Sequence, residues 1–159
     1  EGRIHVLNIY SRRSKRLMRI ELYLKITETC KPNILIEFNG QPIDAKLSTL
    51  KNNFGHYPVV FDVDPVEQNM IKLSITGLGK DSIGDNKVNV FDAVIDDINF
   101  GLVHVMNSWA YPEGLAPQKG ATELDRDGYI EIPFDVPVAL YWGKVHTEFK
   151  FEDFPGWIS

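Results

Sequence analysis

Apolar and polar residues alternate along one short segment after another, and this period-two pattern restricts the fold more than any other feature. Along residues 20–27 the apolar positions are Ile20, Leu22, Leu24 and Ile26, and the residues between them are mostly polar. Successive side chains of a β-strand point to opposite faces, so one face here is apolar and the other polar. The segment is therefore predicted to be a half-buried strand.

The same alternation recurs along the rest of the chain. It runs through Ile34 to Phe38, Val59 to Val63, Ile71 to Ile75 and, as the longest ladder, Ile130, Ile132, Phe134, Val136, Val138 and Leu140. Pro133 and Pro137 cannot donate to a neighbouring strand, which places the last ladder at a sheet edge or across a bend. No stretch has a sustained helical period, and a short helical turn is expected at most between Asp44 and Asn53.

Turn-forming residues separate these segments at short intervals. Asn39-Gly40 lies between two apolar runs and predicts a tight hairpin of the primed type. Many short strands with frequent turns, in a chain of 159 residues, indicate an all-β antiparallel β-sandwich of jelly-roll type. A single domain over residues 1–159 is expected, since this length buries a core without disulfides.

The apolar pattern changes sides within Val88 to Phe100. Phe91, Ala93 and Ile95 share one parity, whereas Ile98 and Phe100 share the other. A strand with one core face cannot do this without a bulge or a break, which is predicted near Asp96-Asp97. Such an irregularity marks either a functional rim or a structural corner.

Charge and composition exclude several classes of protein. The net charge of -5 disfavours nucleic-acid binding, and no apolar run approaches the roughly 20 residues of a membrane-spanning helix. The basic cluster Arg12, Arg13, Lys15, Arg16 and Arg19 is interpreted as a solvated turn, with contact to phosphates or an acidic glycan as the alternative. Cys30 is the single cysteine, which excludes an intramolecular disulfide. Glu1-Gly2-Arg3 does not open a signal peptide, although a mature secreted form would look the same.

Enzyme signatures are absent from the sequence. It contains no Gly-rich phosphate loop, no His-Glu-x-x-His and no Gly-x-Ser-x-Gly. Asp96-Asp97 could serve glycoside hydrolysis only if a bulge brought both carboxylates to one face. The chain is therefore predicted not to be an enzyme.

Aromatic residues are the first candidates for ligand binding, because apolar sugar faces stack on exposed rings. Trp109 and Tyr111, with Asn107, stand in what the sequence suggests is a loop after a strand Leu102 to Met106. Tyr141 and Trp142 end the long final ladder, and His56 and Tyr57 precede another strand. For each ring the alternative is that it closes the end of the core.

Acidic residues between positions 81 and 97 are the second candidates. Asp81, Asp85 and Asp92 supply the hard oxygen ligands that calcium prefers, but their spacing is not that of an EF-hand. The alternative is that these carboxylates solubilise the surface.

The stretch Ile34 to Gly101 resembles the calcium-dependent xylan-binding type of carbohydrate-binding module. The similarity is carried by Ile36-Glu37-Phe38-Asn39-Gly40-Gln41, Tyr57-Pro58-Val59-Val60-Phe61, Asn69-Met70-Ile71-Lys72-Leu73, Gly84-Asp85-Asn86-Lys87-Val88-Asn89-Val90 and Val94-Ile95-Asp96-Asp97-Ile98. This resemblance implies a jelly-roll sandwich that binds a glycan with the assistance of calcium.

Two functions remain open at this stage. The first is a non-catalytic module that binds a glycan at a loop rim, in an extracellular setting. The second is a subunit of a larger assembly, such as a virion component of a phage tail, neck or capsid, in which the apolar tail Phe149, Phe151, Phe154 and Trp157 packs on other subunits, including copies of itself.

Overall fold

The computed structural model describes residues 17–27, 31–45, 47, 51–78 and 86–148. Within these ranges lie eleven β-strands, one α-helix and a 3₁₀ turn. In chain order they are β1 (Met18–Ile26), β2 (Asn33–Phe38), β3 (Gln41–Ile43), β4 (Tyr57–Val63), β5 (Gln68–Thr76), β6 (Val88–Ile95), β7 (Ile98–Asn99), the 3₁₀ turn (Val103–Val105), β8 (Trp109–Pro112), β9 (Gln118–Lys119), β10 (Glu123–Leu124), β11 (Gly128–Asp135) and α1 (Val138–Glu148).

Several predictions fall on residues outside these ranges. They concern Cys30, Asp81, Asp85, the basic residues at positions 12, 13, 15 and 16, and the apolar tail from Phe149 onward. The helical turn expected between Asp44 and Asn53 also falls partly outside, because residues 46 and 48–50 are not described.

The strands form two antiparallel sheets. Sheet I has the order β10-β6-β1-β4, with β7 paired to β6, and sheet II has the order β3-β2-β5-β11-β8-β9. Their apolar faces share one core cluster, to which Leu22 and Ile20 contribute from β1 and Leu73 and Ile71 from β5. All four of these side chains are 0% exposed, as the alternation predicts. The predicted all-β antiparallel sandwich is confirmed, while its jelly-roll connectivity stays a prediction.

The hairpin predicted at Asn39-Gly40 is present between β2 and β3. Phe38 pairs with Gln41 across the two-residue turn, and Asn39 and Gly40 have φ angles of 50° and 83°. Positive φ at both central residues defines the primed turn whose twist matches that of the strands. Asn and Gly are the residues that adopt this conformation at least cost.

The final ladder was predicted to lie at a sheet edge or across a bend, and the chain does bend at Val136-Pro137, whereas the length of the strand and its edge position were wrong. Alternation ends with the strand at Asp135, and Val138 and Leu140 belong to α1, where Leu140 is 71% exposed. Strand β11 is also internal to sheet II, since β5 pairs with its whole length and β8 with Gly128 to Glu131. Pro133 is tolerated in this position because the β8 pairing ends before it, which leaves a partner strand on one side.

Helix α1 corrects the expectation of a chain without helices. It has eleven residues, and its buried side chains Val138 and Val145 pack it against the sandwich. No helix in the described ranges has the length and apolar character needed to cross a bilayer.

The change of core face in residues 88–100 has two separate causes. At Asp96-Asp97 the chain makes a tight turn with φ angles of 53° and 63°, and β7 folds back on β6, so the predicted break is confirmed. Within β6 the register also shifts, so that Tyr23 opposes Asp92 while Leu24 opposes Val90. Phe91 is the extra residue of this β-bulge and is 43% exposed, which corrects its assignment to the core.

Candidate functional site

Three aromatic side chains, Trp109, Tyr111 and Tyr129, form an aromatic row on the outer face of sheet II. Trp109 and Tyr111 alternate along β8 with the buried Ala110 and Pro112. Tyr129 lies directly across from Tyr111 on β11. The prediction that Trp109 and Tyr111 stand in a loop was wrong, because they lie on a strand and the expected strand before them is the 3₁₀ turn. The strand fixes both rings on the same outward face.

The rings of the aromatic row stack on one another. The centroids of Tyr111 and Tyr129 are 4.5 Å apart with planes 17° from parallel, and those of Trp109 and Tyr111 are 6.2 Å apart at 25°. Lys72 of β5 continues the row, with its Nζ 4.4 Å from the Tyr129 centroid. Trp109, at the other end, is 36% exposed and presents the most accessible ring of the row.

Charged groups border the aromatic row. Burial raises the pKa of the Tyr111 hydroxyl, and the neighbouring Glu131 carboxylate raises it further. The Lys72 ammonium lies over the Tyr129 ring, and Lys72 pairs with Glu131 across β5 and β11. The row therefore offers apolar ring surface beside a carboxylate acceptor and an ammonium donor, the combination that binds a sugar's C–H face and its hydroxyls.

Gly128 explains why β8 and β11 approach closely enough for this stacking. A Cβ at Gly128 would overlap the carbonyl oxygen of Tyr111 and would lie 3.0 Å from the Cα of Pro112. Any larger residue would separate the strands next to the Tyr111–Tyr129 pair. The sequence signal Asp127-Gly128 thus positions the site as well as a turn.

The other predicted ligand-binding residues have contacts that hold α1 on the sandwich. The Tyr141 hydroxyl donates to the Pro133 carbonyl at 3.1 Å and accepts from Asn107 Nδ2 at 3.2 Å. Trp142 donates from Nε1 to the Phe100 carbonyl at 3.4 Å, and both rings pack against the core. These contacts match the alternative considered from the sequence, in which the rings cover the core.

The predicted calcium ligands are represented in the described residues by Asp92. Its carboxylate is half-buried, which raises its pKa, while the Ala93 backbone N–H that donates to it acts in the opposite sense. Within the described ranges no group of three or more histidine, cysteine or acidic side chains could hold a metal ion. The described residues therefore do not build a calcium site around Asp92.

His104 lies buried behind Asp92, with 3% of its surface exposed. Its Nδ1 is 2.9 Å from the Gly101 carbonyl and its Nε2 is 2.9 Å from the Val90 carbonyl, so the ring bridges the bulged strand and the following turn. Burial lowers the pKa of His104, although both carbonyls and the charge of Asp92 oppose this shift. We attribute the net direction to burial, because desolvation of a buried imidazolium is the dominant cost.

The lowered pKa of His104 predicts a loss of stability in acid. The unfolded chain takes up the proton near 6.5 whereas the folded chain resists it, so the free energy of unfolding falls as the pH drops below that value, by up to about 1.4 kcal/mol per pH unit. Asp92 has the opposite effect on the free energy of unfolding at lower pH. Because its pKa is raised from 3.8 in the folded chain, the folded chain takes up this proton more readily than the unfolded chain, and acid stabilises the fold at this residue. Urea denaturation at about pH 7.5 and about pH 5.5 measures the pH dependence of the free energy of unfolding across the range in which the unfolded histidine titrates.

A pair of histidine variants separates His104 from the other titrating groups. His104→Gln is expected to remove most of this pH dependence. His146→Gln, on the exposed part of α1, is expected to retain it. A His104→Gln variant with the same dependence as the parent chain would show that the buried ring is not its source.

Comparison with known proteins gives two matches among solved structures. No protein-family model matches the sequence, and no curated protein matches it. One match is the selenomethionine form of vCBM60, from work on two families of calcium-dependent carbohydrate-binding modules linked by circular permutation. It is 13% identical in sequence to this chain. The match covers 72% of this chain and 89% of that chain, with a TM-score of 0.47. The complex of vCBM60 with galactobiose is 12% identical, with 72% and 96% covered and a TM-score of 0.40. The vCBM60 structure is described as a calcium-dependent carbohydrate-binding module, and this is the broad class named for the resemblance of the stretch Ile34 to Gly101.

Proposed function

We propose that this chain is a non-catalytic carbohydrate-binding module and that the aromatic row is its glycan-binding surface. The observation that carries the proposal is the alignment of Trp109, Tyr111 and Tyr129 on one outward sheet face, with Trp109 exposed at the end. Exposed rings on a rigid strand bind sugars with little loss of conformational entropy.

The surroundings of the aromatic row support binding without catalysis. Glu131 lies across from Trp109 and from Lys72 in sheet II, and the Lys72 ammonium lies over the Tyr129 ring, so both charges are placed to meet hydroxyl groups at the edges of a stacked sugar. Asp96-Asp97, the acidic pair considered for hydrolysis, forms the turn between β6 and β7. That pair has a structural task in sheet I, whereas the aromatic row lies on sheet II.

Replacement of the exposed ring is expected to weaken glycan binding. Trp109→Ala should reduce affinity for a bound polysaccharide about five- to thirtyfold, since loss of one stacking contact removes about 1–2 kcal/mol. Tyr111→Ala should act in the same direction. Affinity electrophoresis against a panel of soluble polysaccharides, followed by calorimetry with an oligosaccharide of the retained polymer, measures both effects.

Val60→Ala is the matched control. Val60 is 42% exposed on β4 of sheet I, away from the aromatic row, and its loss should leave affinity unchanged. An unchanged affinity of Trp109→Ala for a polysaccharide that the parent chain retains would contradict this location of the site. Retention of none of the polysaccharides would contradict the proposed function itself.

Calcium enters this proposal as a variable of the same experiment. Asp92, the described member of the predicted ligand set, lies on β6 of sheet I and not beside the aromatic row. Binding at the row is therefore expected to persist with a chelator. Loss of binding with the chelator would restore the calcium assistance that the sequence resemblance implies.

The second function, a subunit of a larger assembly such as a virion, depends on the apolar tail from Phe149 onward, which lies outside the described residues. Light scattering distinguishes the two functions. A monomer that retains polysaccharide supports the binding module, while a ring or trimer without affinity for glycans supports the assembly subunit.

A further inference from the structure

A second candidate site lies on the outer face of sheet I. A cavity of about 530 Å³ opens there, within the size range of small-molecule sites. Four aromatic side chains line it: Tyr23, Phe54, His56 and Phe91. Its other lining residues include one carboxylate, Asp92, and no lysine or arginine.

The cavity is built by two local features of the backbone. The β-bulge in β6 sets Phe91 and Asp92 together opposite Tyr23 instead of sending Phe91 into the core. On the other side, the Asn52 Oδ1 accepts the backbone N–H groups of Phe54 and His56, each at 2.9 Å, and so fixes the turn that carries their rings. The rings of His56 and Phe91 then meet with centroids 4.5 Å apart.

Asp92 is held in place without a lysine or arginine among the lining residues, and the rings of His56 and His104 are the nearby groups whose charge would act on it. The Asp92 Oδ1 accepts the Ala93 N–H at 2.8 Å, which aligns the carboxylate at the wall of the cavity. Its half-buried position raises its pKa, because water solvates the charged carboxylate incompletely there. A bound cation would stabilise the charged form in place of the missing water. The net charge of -5 for the whole chain favours the approach of a cation as well.

Several polar atoms of the cavity are already used in hydrogen bonds within the protein. The Asn99 Oδ1 accepts the Gly101 N–H, the Asn52 Oδ1 accepts two backbone N–H groups, and the Tyr23 hydroxyl donates to Glu21. A sugar needs several free donors and acceptors for its hydroxyls. An alkylated ammonium ion needs aromatic faces and one negative charge.

We propose that this cavity binds an organic ammonium group, with Asp92 as its counter-ion and the rings of Tyr23, Phe54, His56 and Phe91 as its walls. The site is separate from the aromatic row and does not depend on the proposed glycan binding. Attraction to the ring faces and to the carboxylate acts on the same cation from different sides.

The direct test compares two ligands of the same shape in an NMR titration of the ¹⁵N-labelled chain. Choline carries a quaternary ammonium, and 3,3-dimethylbutan-1-ol replaces its nitrogen with carbon. Choline is expected to shift the amide signals of Phe91, Asp92 and Asn99 and to bind at least about tenfold more tightly than the alcohol, with affinity that falls as salt rises. Equal affinities, or shifts confined to other residues, would overturn the proposal.

Two aspartate variants complete the test. Asp92→Asn keeps the shape of the side chain and removes its charge, so affinity for choline is expected to fall at least about tenfold. Asp62→Asn, on an exposed position of β4 on the same sheet face, is the control and should bind choline as the parent chain does. Unchanged affinity of a folded Asp92→Asn variant would overturn the role of the carboxylate. If Asp92→Asn does not fold, the comparison of choline with the alcohol on the parent chain still decides the proposal.

Discussion

Replacement of Phe134 by alanine is expected to lower the free energy of unfolding by about 3–5 kcal/mol. The side chain is 0% exposed, and its ring centroid lies 6.0 Å from that of Phe38 in the shared core. Because Phe134 pairs with Asn69 of β5 and its ring belongs to the core cluster shared by both sheets, the structure cannot collapse freely into the space left by the ring. Urea denaturation monitored by circular dichroism measures the loss.

Leu140→Ala is the control for this prediction, and the sequence pattern makes it a discriminating one. Leu140 belongs to the same period-two ladder as Phe134, yet the structure places it on α1 with 71% of its surface exposed. The substitution should therefore change stability by less than about 0.5 kcal/mol. Comparable losses for both variants would contradict the helix and would favour a continuous strand through Leu140.

The alternation of side chains predicted most of the fold because one face of each strand packs in the core and the other faces solvent. In β1 and β5 a shift of one residue would expose every aliphatic side chain, so the pattern and the sheet determine each other. The Asn39-Gly40 turn was equally predictable, since its residue types suit positive φ. These are local properties, and a sequence records them directly.

The end of the chain was less predictable because two periods overlap there. Val136, Val138 and Leu140 continue the alternation of β11, while Val138, Tyr141, Trp142 and Val145 have the spacing of one helix face. The contacts that decide between them are tertiary, such as the hydrogen bond from the Tyr141 hydroxyl to the Pro133 carbonyl. The local pattern alone does not contain them.

The sequence predicted which types of residue form the candidate sites, but it did not predict which residues from other strands lie beside them. Trp109 and Tyr111 were identified as exposed aromatic residues, but Tyr129 and Lys72 join them through the register of β8, β11 and β5, which the sequence does not state. Phe91 was missed for a different reason. Its parity matches that of Ala93 and Ile95, and one extra residue in the β-bulge turns it outward.

Replacement of Asn69 by alanine is the second substitution from which we expect a large effect, a loss of about 2–4 kcal/mol in the free energy of unfolding. Asn69 is 4% exposed. Its Oδ1 accepts the Val66 N–H at 2.8 Å and the Asn39 amide at 3.0 Å, and its Nδ2 donates to the Val66 carbonyl at 2.8 Å and the Phe134 carbonyl at 3.4 Å. One side chain thus links the β2–β3 hairpin, the segment before β5 and the end of β11. Alanine would leave several of these groups without partners, which costs more than the bonds contribute when formed.

Asn33→Ala provides the matched control, because Asn33 is exposed at the start of β2 in the same sheet. Its loss should change stability by less than about 0.5 kcal/mol. Hydrogen exchange adds a spatial readout, since Asn69→Ala should increase exchange at Val66 and Met70, whose N–H groups depend on Asn69 and on the bonded Asn39. If Asn69→Ala were no more destabilising than Asn33→Ala and these amides kept their protection, Asn69 would not be the residue that joins the three segments.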